Sequence, residues 1–340
     1  MSGDAGRIVT FYSYKGGTGR TMALANTAWI LASNGLRVLA VDWDLDSPGL
    51  HKYFHPFLDH STVFATPGMA DLITGYSQDY KLASASGQAR RADRVAKYTS
   101  VLRNAVSLNW SLFPGVGTLD FLSAGRQRGY APVDWDDFYW EKDGSQVISD
   151  LCADMRNNYD YVLIDSQSGI GGIAEVCTER IPPDVVVACF TLSSQSIEGT
   201  ASVARVSREP ITQGSQLIRI LPVPMRVDDS EPERLKAGRH MARERLVGLP
   251  NGFDDHSQAV YWETAGIPYK PFYAFEETLA VFADPPGSPA SLLAAFERLT
   301  SSITDGKITT LPPMAEQLRL AWRDSFARQP GPPGKARRAL

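Results

Sequence analysis

The seven residues Lys15-Gly16-Gly17-Thr18-Gly19-Arg20-Thr21 combine three glycines, two cations and two hydroxyls. Glycines let a backbone curl so that its N–H groups surround an anion. Lysine and arginine add positive charge, and a threonine hydroxyl can ligate a hard divalent ion. The chemistry this composition suits is phosphate binding. The strict pattern G-x-x-x-x-G-K-[ST] nevertheless fails at two positions. Tyr14 stands at its first glycine and Arg20 at its lysine. Taken alone, the glycines fit a structural turn about as well.

Carboxylates add to the case. Asp42 and Asp44 close the apolar run Arg37–Asp44, and Asp165 closes a second run, Asp160–Asp165. Gly169 follows in a D-x-x-x-G spacing. An acid near a divalent ion, with a glycine able to follow a terminal phosphate, is what a nucleotide switch needs. Acids at strand ends also occur in dehydrogenases and flavodoxin-like proteins. Loop and acids together are the more specific sign.

These residues need elements to hold them. Arg7–Tyr14 is rich in β-branched and aromatic residues and predicts a strand. Thr21–Gly35 has a helix-period apolar face of Met22, Leu24, Ala25, Ala28, Trp29, Leu31 and Ala32, with Gly35 suited to its end. Arg37–Asp44 predicts a second, buried strand. Further strands are expected at Asp160–Gly169, Asp184–Leu192 and Leu217–Met225. Helices are expected near Ser145–Tyr159, Ser196–Glu209, Asp228–Gly248 and Ser288–Gly306, and Ile267–Phe275 reads as a short strand or loop. The alternation predicts an α/β fold with a doubly wound, mostly parallel sheet flanked by helices. Residues 50–145 resist assignment.

The stretch YKGGTGRTMALANTAWILASNGLRVLAVDWDLDSPGL resembles the deviant Walker A loop and D-x-D strand end of the ParA and MinD ATPases. YDYVLIDSQSG is similar to that family's second acidic strand, and CFTLSSQSIEGTASVARV to the stretch where an E-G dipeptide opens a helix. The arginine version resembles the bacterial subgroup of KGGVGR-motif variant ATPases. The resemblance runs from about residue 7 to 300. It implies a P-loop NTPase domain over residues 1–305, elaborated at 50–145. A C-terminal helix over 306–327 and a disordered Pro/Gly-rich tail over 328–340 are expected to follow.

Roles follow by resemblance, residue by residue. Lys15 would reach a partner subunit's phosphates and assist catalysis, and Asp44 would orient the attacking water. Gly16, Gly17, Thr18, Gly19, Arg20, Thr21 and Met22 would cradle ATP. Thr21, Asp42 and Asp165 would hold Mg²⁺. Arg226 and a loop around Pro271 would hold adenine, although Met225 takes the place of an expected asparagine. The implied activity is slow ATP hydrolysis driving a dimerisation switch that recruits a protein partner. Arginine keeps the charge of the lost lysine but is planar and wider, so hydrolysis is the property most exposed to the change. A non-hydrolysing nucleotide-gated scaffold of a bacterial signalling or conflict system is one alternative. A synthetase-type relative is another, with its substrate pocket within 50–145. The paired cysteines of iron-protein relatives, the second loop of arsenite-pump ATPases and the tyrosine-rich tail of bacterial tyrosine kinases are missing from this sequence.

Composition restricts the rest. The 340 residues are 43% hydrophobic and 21% charged, with a formal net charge of −4, so no global charge draws the chain to DNA or anionic lipid. Cys152, Cys177 and Cys189 form no CxxC pair and are expected as buried small apolar residues. The start carries no signal-peptide pattern, and a cytoplasmic location is expected. A helix over Gln88–Val106 would carry Arg90, Arg91, Arg94, Lys97 and Arg103 outward, with Val95, Tyr98 and Leu102 inward. That face is read as solvated in preference to nucleic-acid binding. Leu318, Leu320, Trp322 and Phe326 form no single stripe, which argues against a membrane-binding C-terminal helix. His51 and His55 lack a second cluster for zinc. The aromatics of Asp134–Trp140 are expected to pack or to meet a partner.

Overall fold

The predicted apolar runs assemble into one sheet in a computed structural model that describes residues 5–86, 91–125, 138–139, 144–169, 181, 183–206 and 218–327. The strands are β1 (Arg7–Ser13), β2 (Arg37–Asp42), β3 (Val106–Ser107), β4 (Thr118–Leu122), β5 (Tyr161–Asp165), β6 (Val185–Phe190) and β7 (Arg219–Pro224). Their spatial order is β3-β4-β2-β5-β1-β6-β7. All pairings are parallel except the antiparallel β3–β4 edge. This is the doubly wound architecture expected. β3 and β4, inside the unassigned 50–145 region, add two strands that the sequence reading did not separate from loop.

Side-chain alternation explains the layers. Val9 and Phe11 of β1 enter the core on one face, together with Val38, Ala40, Leu163, Val185 and Val187. Ile8, Leu39, Val41, Val162 and Ile164 enter the core on the other. A period of two sends alternate residues to opposite faces, so strands covered on both sides are apolar throughout.

Helix α1 (Arg20–Ser33) is buried far beyond one face: Leu24, Ala25, Asn26, Thr27, Trp29 and Ile30 are all inaccessible. The helices Ala280–Ala283 and Leu292–Ile303 pack on it from outside the sheet. A helix enclosed this way is apolar nearly all round. Gly35, at φ 84, follows its Asn34 cap and donates to the Ala32 carbonyl, as a left-handed C-terminal residue does.

Several expectations change. Among the described residues the helix expected over Gln88–Val106 runs Arg91–Thr99 and stops there; Ser100 is extended, and a 3₁₀ turn holds Val101–Arg103. Val95 and Tyr98 are buried, but the break turns Leu102 outward, 60% exposed, and takes Arg103 off the helix. Arg90 lies outside the described residues. The last helix spans Glu316–Ser325, shorter than the 306–327 expected. Its Trp322 stacks on Phe57 with centroids 4.6 Å apart, and Phe326 is buried against Phe57 and Phe282. Among the described residues no helix is long and apolar enough to cross a membrane. Cys152 and Cys189 are buried and burial pushes each thiol up to about 12, while Cys177 lies outside the described residues. Phe138 packs against Tyr76; of Asp134–Trp140 only it and Tyr139 are described. Residues 328–340, the expected tail, are also outside.

Candidate functional site

Parallel strands end on one edge of a sheet, where loops can converge. The loop after β1, the chain after β2, the end of β5 and the end of β7 meet there. β1 and β5 are in register, with Phe11 opposite Asp165, and Asp42 of β2 is also opposite Asp165. Ser166 donates its N–H to Phe11 O, Gly169 donates to Ser13 O, and the Tyr12 hydroxyl donates to Gly169 O. The D-x-x-x-G turn is thereby fastened to the strand that carries the glycine loop.

Two glycines of the loop have conformations that side chains disfavour: Gly17 at φ 72 and Gly19 at φ 96. A Cβ on Gly19 would stand 3.2 Å from Met225 Cε, while one on Gly17 would meet nothing within 4 Å. Gly19 starts α1, so the first N–H groups of that helix face the loop's concavity. Tyr14, at the position of the missing first glycine, packs on the helix Ser194–Val206. A Cβ on Gly199 would lie 2.2 Å from its ring, which explains the E-G dipeptide. That dipeptide sits inside the helix; Ser194 opens it.

The loop lines a cavity of about 610 Å³. Gly16, Gly17, Thr18, Gly19, Arg20, Thr21, Met22, Asp44, Met225 and Arg226 all reach its wall, as the sequence reading requires. Asp165 stands behind them. Its Oδ2 accepts the Thr21 hydroxyl at 2.7 Å and its Oδ1 accepts Arg20 Nε at 2.5 Å. Arg20 Nη2 donates to Asp44 Oδ2 at 3.0 Å and Nη1 to Ser13 Oγ at 3.4 Å. Arg20 is 6% exposed and Asp165 1%. Burial opposes the guanidinium's charge, but the two carboxylates outweigh it and raise its affinity for the proton. Burial pushes the Asp165 carboxyl above its usual range despite Arg20 and Thr21.

Besides Asp165, three expected residues lie off the wall. Asp42 is fully buried and outside that wall. Its oxygens accept the N–H groups of Asp44 at 3.3 Å and Leu50 at 3.1 Å. Burial pushes its carboxyl upward, and the charge of Asp165 adds to that. It holds the backbone of the Asp44 loop from behind the wall on which Thr21 and Asp44 stand. Lys15 is half-buried, off the wall, and hydrogen-bonded to Gln195. Pro271 itself is exposed and off the wall, but Lys270, Tyr273 and Ala274 of the loop around it reach the wall, with Pro268 and Tyr269 before them.

A short parallel ladder brings those residues in. Ile267 donates to Pro224 O, Val227 to Ile267 O and Tyr269 to Val227 O. Arg226 has φ 54, rare for a residue with a side chain. Its guanidinium reaches Gly17 O at 3.1 Å and lies 5.0 Å from the Tyr269 ring centre. Sequence reasoning missed Ser13, Lys52, Tyr53, Tyr269 and Glu277 on this wall. Only Tyr269 carried a signal, by its place in the proline loop.

The donor set can be tested for the ligands it suits. Thr18 Oγ1 is buried with no hydrogen-bond partner. Open space over Gly17 and free helix N–H groups suit a phosphate. A hydroxyl and two carboxylates are hard oxygen donors of the kind magnesium takes. Among the described residues no three histidine, cysteine or acidic side chains gather as a metal cluster, and His55 Nδ1 instead contacts Lys52 O.

None of the curated proteins compared with this chain matches it. Solved structures do. MinD, a cell division ATPase from Pyrococcus furiosus, is similar at 20% identity and a TM-score of 0.53, over 88% of this chain and 99% of its own. MinD from Pyrococcus horikoshii, solved with Mg-ADP, gives 19% identity and 0.51, over 87% and 95%. A McdA–ATP complex from Cyanothece gives 14% and 0.58, over 92% and 100%. These likenesses concern the fold. The model of the CobQ/CobB/MinD/ParA nucleotide binding domain matches residues 9–231. That span contains the glycine loop, all three acids and Arg226, so the chain belongs to this family of nucleotide-binding domains and has a ParA/MinD-like P-loop fold.

Proposed function

We propose that this protein binds ATP with Mg²⁺ in the 610 Å³ cavity and uses slow hydrolysis to switch between monomer and dimer. The observation that carries the reading is the convergence of Thr21, Asp44 and Asp165 on the glycine loop. Neighbours of the same fold were solved with Mg-ADP and with ATP.

In this reading the N–H groups of Gly16–Met22 bind phosphate oxygens, and the wall formed by Met225, Arg226 and Tyr269 takes the base. Thr21 and Asp165 would hold the metal, which would supply positive charge to screen the phosphates. Asp44 accepts a hydrogen bond from the attacking water and sets its direction. Asp42 holds the backbone of Asp44 in place. Lys15, outside its own cavity, is available to phosphates across a dimer interface. Phe272 and Phe275, 55% and 77% exposed beside the cavity, suit a surface covered on assembly. Residues 1–305 form the switch, and the helix Glu316–Ser325 is an appendage packed upon it. The recruited partner is a protein.

Single-turnover hydrolysis with Asp44→Asn tests the chemistry. Phosphate release is expected to fall about 100-fold while nucleotide still binds. Unchanged release would remove Asp44 from the reaction. Light scattering with ADP, ATP and a slowly hydrolysed analogue tests the switch: ATP and the analogue should double the mass and ADP should not. Doubling with no turnover in any condition favours the scaffold reading.

A further inference from the structure

Arg20 differs from a lysine in what it can hold at once. Its Nε and Nη2 serve two carboxylates, Asp165 and Asp44, and its Nη1 reaches Ser13. A lysine ammonium carries three donors on one nitrogen and lacks the planar fork whose separate nitrogens meet the three acceptors here. Both oxygens of Asp165 are taken, one by Arg20 and one by the Thr21 hydroxyl. The groups assigned to metal and water are thus bonded to one another and to the loop's own cation. Side chains this buried are costly to leave unpaired, so the arrangement is stable until another charge replaces one partner.

We propose that Arg20 is an exchangeable counter-ion, clamped on Asp44 and Asp165 without nucleotide and transferred to phosphate oxygens when nucleotide enters. The inference rests on the nucleotide-binding reading above and adds its regulation. Transfer frees Asp44 to meet water, and it frees Asp165 and Thr21 to meet the metal. In the clamped arrangement the acids are therefore masked, and they become available only when a phosphate has taken the guanidinium. Arginine in this loop trades a fixed phosphate ligand for a gate.

The competing arrangement is a static bridge. Five N–H groups belong to a guanidinium and three are used here, so two could bind phosphate with the carboxylates still held. Titrating fluorescent ADP in EDTA separates the two. Asp44→Asn weakens one arm of the clamp and should tighten metal-free ADP by about tenfold, the worth of a charged hydrogen bond. Removing a negative charge near phosphate would also tighten binding, so the same change is made in Arg20→Lys, where the guanidinium fork is absent. There the gain should drop below about threefold. Equal gains in both backgrounds, or none in either, overturn the exchange. Should Arg20→Lys not fold, wild-type protein crystallised with ADP decides. Arg20 on phosphate and released from Asp44 supports the exchange; Arg20 still on both carboxylates overturns it. If wild type binds no ADP at all, the nucleotide reading falls and the exchange falls with it. Binding with equal gains removes the exchange alone.

Discussion

Arg20 and Asp42 illustrate how far residue types alone can be read. The sequence presents Arg20 as a lysine substitute aimed at phosphate, and Asp42 as one of two acids in a D-x-D pair. Residues i and i+2 of a strand share a face, so the pair reads as able to approach a metal or a water together. β2 ends at Asp42, however, and Asp44 leaves the strand geometry. Asp42 then turns to backbone N–H groups and Asp44 to the guanidinium. The glycines yield a prediction at this scale. Gly19→Ala should lower stability by about 1–2 kcal/mol, because a left-handed backbone disfavours Cβ and Met225 crowds it. Gly16→Ala, with no positive φ and its nearest neighbour Ser168 Oγ at 3.7 Å, should cost less than about 0.5 kcal/mol. Urea midpoints of the two variants compare them directly. Equal midpoints would show that the loop relaxes around the added methyl.

Among the elements, α1 and the last helix depart most from what a pattern suggests. An apolar face predicts one buried side, yet α1 is enclosed because a late part of the chain returns to cover it. The last helix has no clean stripe, which argued against a lipid surface. Its aromatic residues dock instead on Phe57, Trp110 and Phe282. That docking site is beyond the reach of any local pattern, since Phe57 and Trp110 lie more than 200 residues before the helix. Phe57 ends the 3₁₀ turn His55–Phe57, which follows the Leu50–Phe54 helix whose first N–H is held by Asp42. Trp322→Ala should therefore destabilise the protein by about 2 kcal/mol, below the range for a fully buried tryptophan. Thermal unfolding reads this. A change under about 0.5 kcal/mol would mean that the helix contributes little to the body it covers.

The whole molecule is closed by contacts between chain segments far apart in sequence. Asp305, after the helix Leu292–Ile303, pairs with Arg7 at the start of β1 (2.8 Å) and with Arg219 at the start of β7. Burial alone would raise its carboxyl, but the two guanidinium groups hold it below the usual range. The native state then binds fewer protons than the unfolded chain in acid, so this contribution is present above the ordinary carboxylate range. It is lost as pH falls through the lowered value. Asp305→Asn keeps a residue type that tolerates φ 56 and removes the charge. Its stability should be below wild type near pH 7, with the difference closing below about pH 4. Urea titrations across that span check it, and a difference independent of pH would exclude the ion pairs as its source.

Local chemistry made the glycine loop, the strand-end acids and the parallel α/β order legible. These depend on spacing along the chain: side-chain alternation, helix period and the glycine need of a tight anion cradle. Residues 50–145 were illegible because their short strands and helices gain definition from the surfaces they cover, as with Thr118–Leu122 beside β2. The same limit applied to the site. Sequence placed an arginine, a threonine and three acids within reach of one sheet edge. Tertiary packing alone chose which acid faces the cavity, which shapes the loop and which shares the guanidinium. That choice depends on where strands stop and on which buried charges must find partners, and both are properties of the assembled core.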